Sequence, residues 1–227
     1  MLILHYHPFS SYCQKVLVAL YEREVPFERN IVDLGNPEQK AALERLWPMG
    51  KFPVLRDERR GITVPESSLI VEYLDRVHPA PPPLVPADPG AALDAHLWDR
   101  FFDHYVSVPM QKIVTDRIRP PGFNGPHGVG EARAMLDQAY PMINRQLAGK
   151  LWATGEHFTM ADCAALPALF FASIVHPFPL ELRELDAYLD RLFERPSVQR
   201  VISEAQPYFS MFPYLDAMPA RYLEAAS

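Results

Sequence analysis

The chain has 227 residues, 48% of them hydrophobic, and a formal net charge of −6. That is enough apolar material for one large domain or two small ones, and the acidic balance gives no electrostatic reason to expect nucleic acid or an acidic membrane as a partner. Two cysteines, Cys13 and Cys163, are too few for a disulfide framework and point to a reducing, cytoplasmic setting.

Leu2–Tyr6 is short, apolar and followed by Pro8, and reads as a strand. The N-terminus enters it without a basic region, so no signal peptide is expected. Val16, Leu17, Leu20 and Tyr21 recur at helical spacing, which predicts a helix over Ser11–Arg23. Phe27–Val32 reads as a second strand. Asn36 and Pro37 look like the cap and first turn of a helix running to Leu46. Gly50–Arg56 leads into a third strand, a turn spans Asp57–Gly61, and Ile62–Val64 is a fourth. Pro65, Glu66, Ser67 and Ser68 open a helix through Ile70, Val71, Leu74 and Val77. The order βαβαββα predicts a small α/β sheet, parallel in the strand–helix–strand unit, antiparallel at the hairpin, with helices on both faces.

Residues 78–86 are dense in proline and predict an extended polyproline segment. It marks a linker, 79–87, between an α/β domain over 1–78 and an all-helical domain over 88–227. Asp88 is expected to cap one long helix reaching about Arg119, kinked near Pro109. Pro120–Gly130 reads as a loop and Glu131–Leu147 as an amphipathic helix. Thr159, followed three residues later by Asp162, is a variant capping box. The helix behind it is so apolar that it is expected to be buried all round. Its longest apolar run, Cys163–Val175, contains Pro167 and is shorter than the ~20 residues a membrane span needs. Leu182–Phe193 and Ser197–Ala205 complete the helices, and an aromatic tail carries Tyr208, Phe212 and Tyr222.

Three segments in order resemble those of a cytosolic glutathione transferase: Ser10-Ser11-Tyr12-Cys13 entering the first helix, Gly50-Lys51-Phe52-Pro53-Val54-Leu55, and Glu66-Ser67 opening the third. The Thr159–Asp162 cap is similar to the family's motif in its helical half. The resemblance is to bacterial, serine-type members, nearest in motif to the zeta, theta and omega classes. It implies a thioredoxin-like glutathione-binding domain, a homodimer, and glutathione as cosubstrate for attack on a small hydrophobic electrophile.

The resemblance makes Ser10, with Ser11 second, the hydroxyl that stabilises the glutathione thiolate. A hydrogen bond to a charged group is worth about 1.5–3 kcal/mol, enough to lower a thiol pKa by about one to two units. It implies that Lys51 and the backbone around Phe52 and Pro53 hold glutathione, with Glu66 and Ser67 taking its γ-glutamyl end. His104, Tyr105, Val108 and Met110, with Tyr208 or Phe212 from the tail, would line the electrophile pocket. Each residue also has a plainer reading: helix caps for the serines and Glu66, a solvated lysine, core positions for the apolar group, and a cis or trans bond at Pro53. The Ser10–Cys13 segment also lines up with the Cys-Pro-Tyr-Cys motif of glutaredoxins, but dithiol exchange needs both thiols and only Cys13 is present. An isomerase, lyase or dehalogenase on the same scaffold, or a non-catalytic binding module, are the alternatives. The eight histidines show no metal-ligand spacing, so no metal is expected.

Overall fold

The computed structural model describes residues 1–223, so the last four residues of the expected helical domain lie outside the described part. The strands are β1 (Leu2–Tyr6), β2 (Glu28–Ile31), β3 (Val54–Asp57) and β4 (Ile62–Pro65), arranged β2-β1-β3-β4. β1 runs parallel to β2 and antiparallel to β3, with Leu4 opposite Leu55, and β3 pairs antiparallel with β4. One face is covered by α1 (Ser11–Glu22) and α3 (Ser67–Val77), which bury Val16, Leu17, Leu20, Ile70, Val71 and Leu74 completely. On the other face lies α2 (Pro37–Leu46), capped by the Asn36 side chain. It inserts Leu43 between Val32 and Val54.

Residues 78–88 contain no regular element, and the segment bends at a cis Pro81–Pro82 bond rather than running as a single polyproline helix. It is tied down at several points. Asp75 accepts hydrogen bonds from the backbone N–H groups of Leu84 and Val85 at 3.0 Å each. Arg23, paired with Asp75, also donates to the Ala80 carbonyl at 2.5 Å. The Leu84 side chain is buried, and its carbonyl accepts from Met160 N–H at 2.9 Å.

The long helix expected from Asp88 to Arg119 is three pieces: α4 (Pro89–Phe101), a π-helical segment (Phe102–Ser107) and α5 (Val108–Arg117). Proline has no N–H to donate, and its ring crowds the carbonyl four residues back. The disruption foreseen at Pro109 is therefore absorbed upstream, where Val108 N–H bonds the Asp103 carbonyl five residues behind it. α6 (Pro126–Leu147) starts earlier than the expected Glu131, because Pro126 serves as a first-turn residue and Gly128 and Gly130 are carried in the helix.

α7 (Met160–Val175) is the central helix, buried on all sides and packed on α1, α4 and the π segment. Its capping box is formed. Asp162, fully buried, accepts from Thr159 N–H at 2.8 Å, Ala153 N–H at 2.8 Å and the Tyr188 hydroxyl at 2.5 Å. Burial pushes its pKa up while these bonds pull it down. Around this hub stand α8 (Arg183–Phe193) and α9 (Pro196–Ala205), followed by two short 3-10 turns and α10 (Ala220–Leu223). No described helix is long and apolar enough to cross a membrane.

Candidate functional site

The site begins where β1 turns into α1. His7 Nδ1 accepts from Phe9 N–H at 3.2 Å and its carbonyl from Ser10 N–H at 3.0 Å. The buried Gln14 donates to the Pro8 carbonyl at 3.1 Å. The His7 ring meets Tyr208 edge-on at 4.6 Å and faces Phe52 at 6.3 Å, and burial lowers its pKa. The turn is thus fixed by four bonded or packed groups. Ser10 caps α1 in extended conformation without a side-chain bond to the helix, which leaves its hydroxyl for other partners. Burial pushes the nearby Cys13 thiol up to about 12, with Ser10 and the His7 backbone pulling it down. Cys13 is therefore neutral and inward-facing.

Two cavities open on either side of this turn. The first, about 210 Å³, is polar. Lys51, Phe52, Pro53, Glu66 and Ser67, all named from the sequence, line it together. The Phe52–Pro53 bond is cis. Glu66 sits at φ 69° and ψ 119°, a left-handed conformation that a non-glycine residue holds at a cost of about 1–3 kcal/mol and that clusters at ligand sites. Ser67 starts α3, and no side chain caps that helix. Its first N–H groups and positive end are available to a carboxylate. Tyr12 lines the same cavity; burial, with Asp103 and Glu66 adding to it, pushes its phenol up to about 12, so it stays a hydrogen-bond donor.

Behind this cavity is a charged cluster that the sequence reading missed. Lys15 of α1, only 1% exposed, places its ammonium 2.7 Å from Ser68 Oγ, 2.7 Å from Asp99 and 2.8 Å from Asp103. Ser68 donates to Asp99 at 2.7 Å. One cation and two carboxylates thus lock α1 and α3 to α4 and the π segment. Burial raises the Asp103 carboxyl while Lys15 pulls it down. Asp103 also lines the polar cavity. A lysine in an apolar helix and two aspartates spaced i, i+4 in another were the available signal.

The second cavity, about 250 Å³, is mostly apolar. Phe9, Met110, Phe171 and Phe212 form its wall, with Phe9 5.4 Å from Phe171 and 5.8 Å from Phe212, ring to ring. Ser10 and Ser11 form its polar edge. Ser11 Oγ accepts from Gln111 Nε2 at 3.1 Å.

Of the expected electrophile-pocket residues, Met110 and Phe212 are here and His104 lines the polar cavity instead. Tyr105 and Val108 line neither: both are exposed, with the Tyr105 ring 5.1 Å from Phe101, and Tyr208 packs on His7. The helix was expected to be kinked near Pro109; the break is instead the π segment at Phe102–Ser107, which changes the phase of the residues around it. Gln111 and Phe171 were not foreseen. Among the described residues no group of His, Cys, Asp and Glu could hold a metal ion.

Comparison with known proteins is consistent along the chain. Residues 4–82 match the family model for the glutathione S-transferase N-terminal domain, and residues 114–195 the model for the C-terminal domain. Glutathione S-transferase GstB of Escherichia coli is 25% identical over 196 residues, covering 85% of this chain and 93% of that protein. A stringent starvation protein A homolog of Coxiella burnetii is 27% identical over 212 residues, 91% of this chain and 93% of the relative. A crystal structure of a glutathione S-transferase from Methylobacterium radiotolerans, in complex with glutathione sulfonate, superposes with a TM-score of 0.76 at 28% identity, covering 88% of this chain and 93% of that one.

Proposed function

We propose, for a chain that belongs to the glutathione S-transferase family, that it binds glutathione in the polar cavity and uses the thiolate to attack a small hydrophobic electrophile in the apolar one. The observation that carries this reading is that consecutive residues where β1 turns into α1 border both cavities, Tyr12 the polar one and Ser10 and Ser11 the apolar one. Lys51 and the backbone at Phe52 and Pro53 hold the peptide. The start of α3 at Ser67 takes the γ-glutamyl carboxylate, and Glu66, with Asp103 nearby, takes its ammonium. Residues 1–78 thus bind glutathione, 88–227 supply the electrophile wall, and 79–87 join them.

Ser10 is the first-choice donor. Its hydroxyl makes no capping bond to α1, and the Cys13 thiol beside it is neutral and a weak acceptor, so a glutathione thiolate is the stronger partner when glutathione binds. Ultraviolet difference titration of bound glutathione tests this in the native chain, Ser10→Ala and Ser11→Ala. The thiol pKa is expected to fall by about one to two units in the native protein and to rise again in Ser10→Ala. The same loss in Ser11→Ala alone moves the role to Ser11. Glutathione that binds with no shift defeats the catalytic reading and favours a binding module. A panel of electrophiles separates a broad transferase from an isomerase, lyase or dehalogenase.

A cytoplasmic homodimer is part of the proposal. Both cysteines are buried and free, which suits a reducing compartment. Leu93 and Leu97, one turn apart on α4, are 71% and 58% exposed, and Tyr105, Val108 and Leu69 of α3 are exposed as well. An apolar stripe of this kind is what a second copy would cover.

A further inference from the structure

His7 is the residue after β1, and it bonds the backbone of the turn twice. Its Nδ1 accepts from Phe9 N–H at 3.2 Å, and its carbonyl accepts from Ser10 N–H at 3.0 Å. The two residues held in this way serve different parts of the site. Ser10 carries the first-choice hydroxyl, and Phe9 places its ring in the apolar wall against Phe171 and Phe212. A ring nitrogen that accepts carries no proton, so the neutral imidazole has its hydrogen on Nε2. A second proton would go to Nδ1 and set two N–H groups against each other across the same 3.2 Å. The rings packed on His7 are Tyr208, from the 3-10 turn Gln206–Met211, and Phe52, which carries no charge. Cys13 of α1, beside the His7 backbone, is neutral. Asp33 beyond β2 favours the charged ring, and burial outweighs it.

We propose that His7 is a positioning residue for the glutathione reaction: its uncharged imidazole holds Phe9 and Ser10 in their working geometry, and protonation of the ring releases them. This rests on the transferase reading above. The ring acts through the turn and touches neither glutathione nor electrophile. The protein then loses activity twice as pH falls, once when the bound thiolate takes a proton and once when His7 does. At saturating glutathione, log kcat/KM for the electrophile therefore falls with a limiting slope of about two in acid. Asparagine can replace the ring in this role. Its side-chain oxygen accepts from the backbone N–H two residues on, as in an Asx turn, and takes up no proton in this range. Leucine offers bulk without an acceptor.

The test measures kcat/KM for the electrophile of the panel that is turned over fastest, at saturating glutathione, from about pH 5 to about pH 8.5 in the native protein, His7→Asn and His7→Leu. At about pH 8, His7→Asn is expected to stay within about threefold of the native value and His7→Leu to lose about tenfold or more. Below about pH 6 the expected slope is about two for the native protein and about one for His7→Asn. Equal slopes overturn the assignment, as does His7→Leu matching the native protein or His7→Asn falling as far as His7→Leu. If His7→Leu does not fold, the two slopes decide. The tautomer is read without any substrate, by long-range proton–nitrogen correlation of the histidine ring. At about pH 8 the hydrogen is expected on Nε2, and a ring protonated on Nδ1 overturns the assignment whatever the activity. A native protein with the expected tautomer that neither turns over an electrophile nor shifts the glutathione thiol defeats the transferase reading, and this proposal with it.

Discussion

Replacing Lys15 with methionine keeps the length of the side chain and removes a buried cation that stands within 2.8 Å of two buried carboxylates. Asp99 is fully buried and Asp103 nearly so; the ammonium donates to Asp103 and Ser68 at 2.8 and 2.7 Å and lies 2.7 Å from Asp99 Oδ1. Breaking a buried pair by removing one partner costs about 3–5 kcal/mol, and here the cluster keeps only the half-exposed Arg100, 3.6 Å from Asp99, as counterion. For a chain of this size that is a fall in Tm of about 6–20 °C. Burial already raises the Asp103 carboxyl and Lys15 is the largest influence holding it down, so the variant raises it further. A carboxyl whose folded pKa lies above its unfolded value favours folding in acid and loses that contribution as pH rises through the folded pKa. Urea unfolding at about pH 8 and about pH 5 should therefore show the larger deficit at pH 8. Adding Asp99→Asn and Asp103→Asn to Lys15→Met should restore much of the loss, since a neutral buried cluster carries no uncompensated charge. Because Asp103 lines the polar cavity, KM for glutathione should rise in the single variant. A single variant within 1 kcal/mol of the native protein, or an identical deficit at both pH values, refutes the reasoning.

The Asp162→Ala variant orphans the N–H groups of Ala153 and Thr159 and the hydroxyl of Tyr188 inside the helical core. Unmade buried bonds cost about 1–3 kcal/mol each, so denaturant titration should show a loss of about 3 kcal/mol or more, with Asp162→Asn milder because it keeps an acceptor. A loss under 1 kcal/mol for the alanine variant would contradict the hub described for α7. Leu97→Glu places a charge in the exposed stripe of α4. Light scattering should find the native protein as a dimer and this variant as a monomer with an unchanged circular dichroism spectrum; a native monomer removes the homodimer from the proposal.

The α/β half was legible because its signals are local. Asn36 and Pro37 cap α2, and Thr159 and Asp162 cap α7, with side chains that bond backbone groups within a few residues. The polar cavity was legible because Lys51, Phe52, Pro53, Glu66 and Ser67 come from two short segments whose order is itself a pattern. The other wall was not. Which residues of the helix after Asp88 face the turn depends on backbone register, and Pro109 announced a disturbance without saying where it would be absorbed. Phe171 was hidden in a helix apolar on every side, where periodicity carries no direction. Lys15 and Asp103 were hidden because charged residues are seldom fully buried unless paired, and only the packing of α1 on the π segment makes them partners.

The π segment also makes chain length a determinant of specificity. Each residue of a helix turns the chain by about 100°, and the widened turn between Phe102 and Ser107 sets the rotational phase of everything after it. Removing one residue there would let the ladder close as an α-helix and swing Met110, Gln111 and Val114 about a quarter-turn away from Ser10 and Ser11, with no atom of the pocket substituted. The electrophile wall is thus written twice, once in the identity of its side chains and once in a count of residues upstream. A change in that count after His104 would re-aim α5 as a unit while leaving the residues that line the glutathione side in place.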